Sequence, residues 1–291
     1  MKRLFIINPK SGAKGCAEEL KKVIQKHFPQ ADIEFTRRQG HAKELAAAAA
    51  ANNYAQVVAC GGDGTINEAM QGLALSNIAL GVIPLGSGNG LAREVGMPLD
   101  NFEAACNTIL TARAVRCDLG KANGEYFINL AGIGIEADIA ADFDKNGKRG
   151  RWPYFKITAK KIFSYKAPHI TVDMESPAGI QNIALRPLTL VFTNGRQYGS
   201  GFKIAPRASF SDGLLDMVCI RRQNIFKLLA GLPNFFKPAI IPVEIRDYYK
   251  ITKATVNICA DFNYHIDGEP RRGKDKLQIE IVPGSVSLLM R

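Results

Sequence analysis

The stretch that decides the fold is Gly61-Gly62-Asp63-Gly64-Thr65-Ile66-Asn67-Glu68. It follows an apolar run at residues 57–60 and leads into residues 68–73, whose composition favours a helix. A strand that turns on glycines into a helix brings backbone N–H groups close to an anion, and the helix N-terminus adds partial positive charge. Asp63 places a carboxylate inside this turn. The pattern predicts a nucleotide phosphate beside a group that handles a proton or a metal ion; the alternative is a turn whose glycines serve geometry alone.

Size and composition are those of an ordinary globular protein. The chain has 291 residues, enough for two domains, of which 46% are hydrophobic and 22% are charged. Its formal net charge of +11 favours anionic partners such as nucleotides, acidic lipid headgroups or nucleic acid. Charge alone does not choose among them.

Cysteine usage and the lengths of the apolar runs indicate a cytoplasmic protein. The six cysteines form no CxxC pair and have no histidine at zinc-ligand spacing, which predicts reduced thiols. The N-terminal apolar run is too short for a signal peptide, and no apolar stretch reaches transmembrane length.

Strands alternate with helices in the first part of the chain. Strands are predicted at residues 4–7, 33–36, 57–60 and 79–83, with helical patterns between them. This alternation predicts an α/β domain over residues 1–117, built on a parallel sheet covered by helices. Ligands of such sheets bind at the carboxyl ends of the strands.

The pattern changes after about residue 117. Short apolar strands separated by turn signals are predicted at residues 126–130, 170–174, 188–193, 215–220, 254–258 and 277–281. They indicate a second, mainly antiparallel domain over residues 118–279, a β-sandwich or a distorted barrel. The tail at residues 280–291 is compatible with a return to the first domain.

Four glycine-bearing or polar clusters fall where the first-domain strands end. They are residues 8–12, Thr36 with Gly40-His41, residues 61–67 and residues 84–90. Together they would form a rim of N–H and hydroxyl donors of the kind that a triphosphate needs. None has the GxxxxGK[ST] pattern of a P-loop.

The whole motif set resembles the diacylglycerol kinase catalytic domain family, which includes sphingosine kinases and bacterial lipid kinases. The resemblance runs from residue 4 to about residue 270, and the order and spacing of the set are more specific than any one member. The matching residues are Asn8-Pro9, Ser11-Gly12, Thr36, Gly40-His41-Ala42, residues 61–68, residues 84–89, Asn194-Gly195, Gly199, Gly201-Phe202, Ala205-Pro206, residues 211–216 and Asp267-Gly268-Glu269.

The resemblance implies an N-terminal α/β domain like those of phosphofructokinase and NAD kinase, followed by a C-terminal β-sandwich. It also implies that ATP and a lipid bind in a cleft between the two domains. By motif match, the expected ATP contacts are Asn8, Pro9, Lys10, Ser11, Gly12, Thr36, Gly61, Gly62, Asp63, Gly64, Thr65, Ile66, Asn67 and Ser87.

The resemblance further implies an acidic catalytic group. Glu269 matches the base that removes the proton from the lipid hydroxyl, and Asp63 is its rival for that role. Asp63, Asp267 and Glu269 are the carboxylates expected near Mg²⁺ and the γ-phosphoryl group. The alternative for residues 267–269 is a plain hairpin turn, since Asp-Gly is a strong turn signal.

A structural Mg²⁺ is also implied, with Asp212 and the carbonyl groups of Ser209 and Leu214 as ligands. The alternative is a turn without metal. One departure concerns Gly90, which stands where bacterial diacylglycerol kinases usually carry aspartate. An aspartate of the metal and water network is therefore missing, which leaves the acceptor lipid and the wiring of the metal site open.

Three basic segments, residues 145–152, 156–166 and 271–274, bear on partners. The second mixes lysines with aromatic and apolar residues and fits an anionic membrane surface; the alternative is an ordinary surface helix. The aromatic residues show no RNA-recognition spacing, so nucleic acid is not an expected partner. We expect a cytoplasmic protein that contacts the membrane peripherally, and a homodimer stays open.

The resulting hypothesis is an ATP- and Mg²⁺-dependent lipid kinase that phosphorylates a primary hydroxyl of a diacylglycerol or sphingoid-base type of lipid. Two rivals remain at this point. NAD kinase shares the Gly-Gly-Asp-Gly-Thr turn, but its nicotinamide-side signature is absent from this sequence. A non-catalytic nucleotide or lipid sensor gains weight from Gly90.

Overall fold

The computed structural model describes residues 1–146, 165–198, 202–221 and 246–291. The chain divides into two compact units. The first comprises Met1–Leu119 and Pro283–Arg291, and the second comprises Gly120–Val282. Most of the first two basic segments, the apolar stretch at 225–243 and the motif residues Gly199 and Gly201 lie outside the described residues. No described helix has the length and apolar character needed to cross a membrane.

The first unit is a parallel sheet with helices between its strands, which confirms the predicted alternation. In chain order its elements are β1 (Arg3–Ile7), α1 (Cys16–His27), β2 (Asp32–Phe35), α2 (His41–Ala51), β3 (Gln56–Gly61), α3 (Asp63–Leu73), β4 (Ala79–Pro84), α4 (Gly90–Glu94) and α5 (Phe102–Thr111). The strand order is β4-β3-β1-β2, and all three pairs are parallel.

The alanine-rich helix α2 packs closely on α3. Ala42, Ala46 and Ala49 are its buried residues, and their spacing places them on one face. The two helices approach so closely that a Cβ atom on Gly72 would lie 2.4 Å from the Lys43 carbonyl oxygen. Packing therefore explains the buried alanines such as Ala46, because a larger side chain there would hold α2 away from α3.

The second unit is an antiparallel sheet, as predicted. Its elements are β6 (Glu125–Phe127), β7 (Leu130–Gly134), α6 (Ile135–Asn146), β8 (Ile170–Ser176), β9 (Gly179–Leu185), β10 (Pro187–Thr193), β11 (Gln197–Tyr198), β12 (Phe202–Lys203), β13 (Leu215–Arg221), β14 (Arg246–Ile251) and β15 (Lys253–Ile266). β5 (Arg113–Ala122) and β16 (Glu269–Met290) are strands that each belong in part to both units. Strand order in the second unit is β14-β13-β10-β7-β15-β16, and β8 pairs with β15 and β9.

The sheet of the second unit is buried on both faces at its central strand β10. Along β10, Leu190 and Phe192 belong to one hydrophobic cluster, and Val191 belongs to another. Because successive side chains of a strand point to opposite faces, this alternation places apolar layers on both sides of the sheet.

One predicted strand, residues 126–130, is wrong in its bounds. The structure has two strands, β6 and β7, separated at Ile128 and Asn129. The N–H groups of these two residues donate to the Asp267 carboxylate instead of to a neighbouring strand. The predicted strands at 254–258 and 277–281 are correct in position but are parts of the much longer β15 and β16.

The end of β16 lies in the first unit. Ser287 and Leu288 pair in parallel with Ala79 and Leu80 of β4. Pairing with a buried parallel strand explains why Val286, Leu288 and Leu289 are buried apolar residues.

Candidate active site

Three loops of the first unit begin at one edge of the sheet. They follow β1, β3 and β4, which are neighbours in the sheet. The Asn8 amide donates to the Cys60 carbonyl at 2.9 Å, and the Leu85 amide donates to the Gly61 carbonyl at 2.8 Å. These two bonds join the starts of the loops, as the position of the glycine-bearing clusters predicted.

Side chains of the predicted motifs join the loop after β1 to the first turn of α3 and to the turn that precedes this helix. Asn8 Nδ2 donates to Thr65 Oγ1 at 2.9 Å, and Asn8 Oδ1 accepts from the Lys10 amide at 3.0 Å. Ser11 Oγ accepts from the Gly62 amide at 3.3 Å. Asn8, Ser11 and Thr65 therefore shape the loops whatever else they contact.

Glycines let the three loops meet at backbone distance. A Cβ atom on Gly86 would lie 2.8 Å from Gly62 Cα, and one on Gly12 would lie 2.9 Å from the Leu85 carbonyl oxygen. Gly12 also has a φ of +80°, which other residues rarely adopt. The result is a surface of main chain rather than of side chains, which suits the close approach of an anion.

Asp63 is the first residue of α3, and Gly88 and Gly90 of the fourth motif approach its carboxylate. Asp63 Oδ1 accepts from the Gly90 amide at 2.8 Å, and a Cβ atom on Gly88 would come within 2.7 Å of Oδ2. The backbone amide of Gly90 therefore contacts the Asp63 carboxylate directly.

An amide oxygen lies in the same cluster. Asn89 adopts a left-handed conformation with φ of +53°, and its Nδ2 donates to the Gly86 carbonyl at 2.7 Å. Its Oδ1 is buried without a hydrogen-bond partner in the part of the chain that the structure describes. This oxygen would lie 3.1 Å from a Cβ atom on Gly86. Asn89 lies between Gly88 and Gly90, which both approach the Asp63 carboxylate. Amide and carboxylate oxygens are hard ligands of the kind that fit Mg²⁺.

Thr36, Glu68 and Ser87 complete the first-unit motifs. The Thr36 amide donates to the Ile7 carbonyl at 2.9 Å, and Ser87 is exposed on the loop after β4. The Glu68 carboxylate accepts from the amides of Gly40 at 2.8 Å and Ala42 at 3.2 Å, at the start of α2. A carboxylate there stabilises the helix N-terminus, so Glu68 has a structural role that its place in the quoted motif did not reveal.

Asp267 and Gly268 form the two-residue turn between β15 and β16. Their φ angles are +48° and +88°, as a tight hairpin of this kind requires. The Asp267 carboxylate accepts from the amides of Ile128 at 3.0 Å, Asn129 at 2.9 Å and Leu130 at 2.9 Å. Asp267 thus fixes the start of β7 to the hairpin.

Glu269 follows this turn and is 31% exposed. Its Oε2 accepts from Arg271 Nη2 at 3.2 Å. Arg271 also donates to both carboxylate oxygens of Glu125, at 3.0 and 2.6 Å. The Glu125 carboxylate, followed by that of Glu269, raises the pKa of Arg271. Sequence reasoning placed Arg271 in a basic segment only; an arginine two residues from the predicted base was the available signal.

The predicted structural Mg²⁺ ligands lie on the turn before β13. Asp212 Oδ1 accepts from the Leu214 amide at 3.2 Å, and Ser209 Oγ accepts from the Ser211 amide at 3.4 Å. Asp212 Oδ2 accepts from Lys250 Nζ at 2.5 Å. No cluster of three or more His, Cys, Asp or Glu that could hold a metal occurs among the described residues. Because the Lys250 ammonium occupies this oxygen of Asp212, a divalent cation cannot bind to the same oxygen.

A buried polar group that sequence reasoning missed joins three elements of the second unit. Thr189 Oγ1 donates to Glu136, and His265 Nε2 lies 4.0 Å from Glu136 Oε1. Burial raises the pKa of Glu136 to about 8 and lowers the pKa of His265 to about 4. Both side chains are therefore neutral at pH 7.

Comparison with known proteins identifies both units. Residues 2–122 match the family described as the diacylglycerol kinase catalytic domain, and residues 129–290 match the YegS C-terminal NAD kinase beta sandwich-like domain. The chain belongs to the diacylglycerol kinase family. This confirms the predicted family and the fold class, an α/β domain followed by a β-sandwich.

Individual relatives agree with the family match. The kinase is 32% identical to a diacylglycerol kinase of Bacillus subtilis over 279 residues, which cover 92% of this chain and 90% of the relative. It is 32% identical to a diacylglycerol kinase of Mycobacterium tuberculosis, with coverage of 91% and 87%. A crystal structure of a diacylglycerol kinase from Bacillus anthracis has the same fold, with a TM-score of 0.77 at 22% identity over 100% of this chain and 97% of that one.

Membership of this family confirms the predicted class of enzyme, a lipid kinase. Membership also implies that ATP is the phosphoryl donor and that a lipid is the acceptor.

Proposed function

We propose that this kinase transfers the γ-phosphoryl group of ATP to a primary hydroxyl of a membrane lipid of the diacylglycerol or sphingoid-base type. The observation that carries the proposal is the set of three loops joined at one sheet edge, with Asp63 among them, in a chain of this family. The relatives from Bacillus subtilis and Mycobacterium tuberculosis, both named diacylglycerol kinases, support the acceptor class.

ATP would bind to the first unit through its main chain. The close approach of Gly62 and Gly86 and the N-terminus of α3 offer backbone donors to the phosphate oxygens. The remaining motif residues predicted from the sequence would line the nucleotide around these donors. They are Asn8, Pro9, Lys10, Ser11, Gly12, Thr36, Gly61, Asp63, Gly64, Thr65, Ile66, Asn67 and Ser87.

Glu269 would act as the general base. Its carboxylate is partly exposed, and Arg271 holds one of its oxygens, so the other oxygen is available to the lipid hydroxyl. Glu269 takes the hydroxyl proton, the hydroxyl oxygen forms a bond to the γ-phosphorus, and the bond from that phosphorus to the β–γ bridging oxygen breaks to release ADP. Asp63 is the alternative base; in this proposal its carboxylate, which accepts the Gly90 amide on one oxygen, holds Mg²⁺ instead.

Asp267 would position the base rather than react. Its carboxylate accepts three backbone hydrogen bonds, which supports a role in orienting the hairpin that carries Glu269.

Mg²⁺ would be held in the first unit by Asp63 with the Asn89 amide oxygen. When bound, the ion neutralises negative charge on the phosphate oxygens. Peripheral contact with an anionic membrane also belongs to the proposal, and the net charge of +11 supports it. A cytoplasmic location and a homodimer stay predictions.

The test is a transfer assay with purified full-length chain, MgCl₂ and γ-labelled ATP. Mixed micelles supply a panel of diacylglycerols, sphingoid bases and other hydroxyl lipids, and NAD serves as a water-soluble alternative acceptor. We expect label in a lipid and none in NAD. Label in NAD alone would support an NAD kinase, and ATP binding with no labelled acceptor would support a sensor; either result overturns the proposal.

Glu269→Gln tests the assignment of the base. We expect kcat to fall by roughly 10²–10⁴-fold, because the hydroxyl loses its proton acceptor. Thermal unfolding and ATP affinity should stay unchanged. Glu280→Gln is the matched control, since Glu280 lies on the same strand and is paired with Lys121 at 3.2 Å. Turnover of Glu269→Gln close to that of Glu280→Gln would reassign the base to Asp63.

A further inference from the structure

A lysine lies at the turn where the resemblance placed a structural metal ion. Lys250 Nζ lies 2.5 Å from Asp212 Oδ2 and 3.9 Å from Asp216 Oδ2. Lys250 is on β14 and Asp216 is on β13, and the two residues are direct partners in the antiparallel register. Directly opposite residues share a face of the sheet, so the strand pairing brings the ammonium to the side of the sheet that carries Asp216.

The two carboxylates need a positive charge at this position. The Asp216 side chain is fully buried, and a buried carboxylate is costly without a cation or hydrogen-bond donors. Tyr248, two residues before Lys250, donates its hydroxyl to Asp216 Oδ1. Asp216 Oδ2 makes no hydrogen bond within the described residues, and the Lys250 ammonium is the positive charge that faces it.

The coordination chemistry disfavours a divalent ion in addition. Mg²⁺ requires oxygen ligands at about 2.0–2.1 Å in octahedral geometry. Asp212 already accepts the Leu214 amide on one oxygen and the Lys250 ammonium on the other. An ammonium has no acceptor atom, so it cannot become a ligand, and its charge repels a metal ion held by the same carboxylate.

We propose that the Lys250 ammonium takes the place of a divalent cation at this turn, so that Asp212 and Asp216 share a positive charge supplied from within the chain. The start of β13 is then stable without metal. This inference is independent of the acceptor lipid, because it concerns the stability of the turn.

The first experiment removes the ammonium and keeps the length of the side chain. We expect Lys250→Met to lower the midpoint of thermal unfolding by about 4 °C in EDTA. Added MgCl₂ or CaCl₂ should restore part of the loss, because two carboxylates without a cation then form an acidic site. Lys276→Met, at an exposed position of β16, is the matched control and should unfold like the wild type. A Lys250→Met variant with unchanged stability and no response to metal would overturn the proposal.

The second experiment uses the wild type and is decisive even where the variant does not fold. Crystals soaked in MnCl₂ should show no anomalous density at Asp212, whereas density near Asp63 is compatible with the proposal. Anomalous density within bonding distance of Asp212 would overturn it. As a solution readout, the rise in unfolding midpoint that Mg²⁺ gives the wild type should be the same for Asp212→Asn; a rise that this variant abolishes would also contradict the proposal.

Discussion

The loops of the first unit and the hairpin of the second unit are held by different means. The first-unit loops meet through backbone at Gly62 and Gly86, and each follows a strand of the same parallel sheet. The hairpin at Asp267 depends on a carboxylate that reaches backbone amides 137 to 139 positions away in the sequence.

This difference explains which part of the site can be predicted from a short sequence motif. A loop that needs close backbone approach requires glycine at given positions, so its geometry leaves a short motif. A hairpin held by a distant side-chain contact requires only one acidic residue, which also fits a plain turn. Substitutions should therefore affect the two regions through different physical effects.

Asp267→Asn tests the second-unit hairpin and should have the largest effect on stability. Asparagine keeps the shape of the side chain but loses the charge and turns an N–H donor toward backbone donors. Because hydrogen bonds to charged groups contribute about 1.5–3 kcal/mol each, we expect the free energy of unfolding to fall by about 3 kcal/mol. Urea unfolding followed by circular dichroism measures it.

Asp261→Asn is the control for this prediction. Asp261 lies on the same strand, β15, and is exposed. We expect its free energy of unfolding to stay within about 0.5 kcal/mol of the wild type. Equal stability of the two variants would show that the three bonds to Asp267 do not hold the hairpin.

Gly86→Ala and Gly62→Ala test the first-unit loops as a pair. A Cβ atom on Gly86 would lie 2.8 Å from Gly62 Cα, whereas one on Gly62 would lie 3.6 Å from Gly86 Cα, an ordinary contact. Overpacking costs 1–3 kcal/mol, so we expect Gly86→Ala to lose about 2 kcal/mol of unfolding free energy. Gly62→Ala should stay within about 0.5 kcal/mol of the wild type.

ATP affinity separates the two roles of these glycines. We expect Gly62→Ala to bind ATP about tenfold more weakly, a change of 1.4 kcal/mol, because the new methyl group keeps phosphate from the backbone. Isothermal titration measures it. Normal ATP affinity of a folded Gly62→Ala protein would mean that this glycine serves the turn alone, which was the alternative for the motif.

The α/β alternation and the common edge of the glycine loops were predictable because both follow from local patterns. The sequence predicted a helix at residues 68–73, whereas α3 already begins at Asp63, inside the quoted motif. The glycine turn leads directly into the first turn of the helix. The break between β6 and β7 at Ile128 and Asn129 was not predictable, because the amides of these residues donate to Asp267, which is distant in the sequence. An apolar run alone continues a strand through that point.

Individual side-chain roles were least predictable where the partner is distant. Glu68 lies in the quoted motif, yet the amides that it binds belong to Gly40 and Ala42. The sequence analysis placed Arg271 in a basic segment and did not single out Lys250; the tertiary structure brings these cations to Glu125 and Asp216. Strand register is a tertiary property, and one sequence contains no direct signal for it.

Glu136 of the second unit should make the free energy of unfolding depend on pH, and this is the smallest of the expected effects. The folded state keeps Glu136 protonated up to about pH 8, because burial, with a smaller contribution from the charge of Asp138, raises its pKa. The unfolded chain releases that proton near its ordinary pKa of 4.5. Between these values the folded state binds more protons, so this group makes stability fall as pH rises. His265 acts in the opposite direction, but only between its folded pKa of about 4 and its ordinary 6.5.

From pH 7.2 to 8 the Glu136 contribution of this pair dominates, because the histidine of the unfolded chain has lost most of its proton by pH 7.2. We expect the wild type to lose about 1 kcal/mol of unfolding free energy per pH unit relative to Glu136→Gln, whose amide does not titrate. Urea unfolding of both proteins at pH 7.2, 7.6 and 8.0 measures the difference. His265→Gln should keep nearly the wild-type slope over this range, because histidine is largely neutral there in both the folded and the unfolded state. Parallel curves for the wild type and Glu136→Gln would contradict a protonated Glu136 in the folded state.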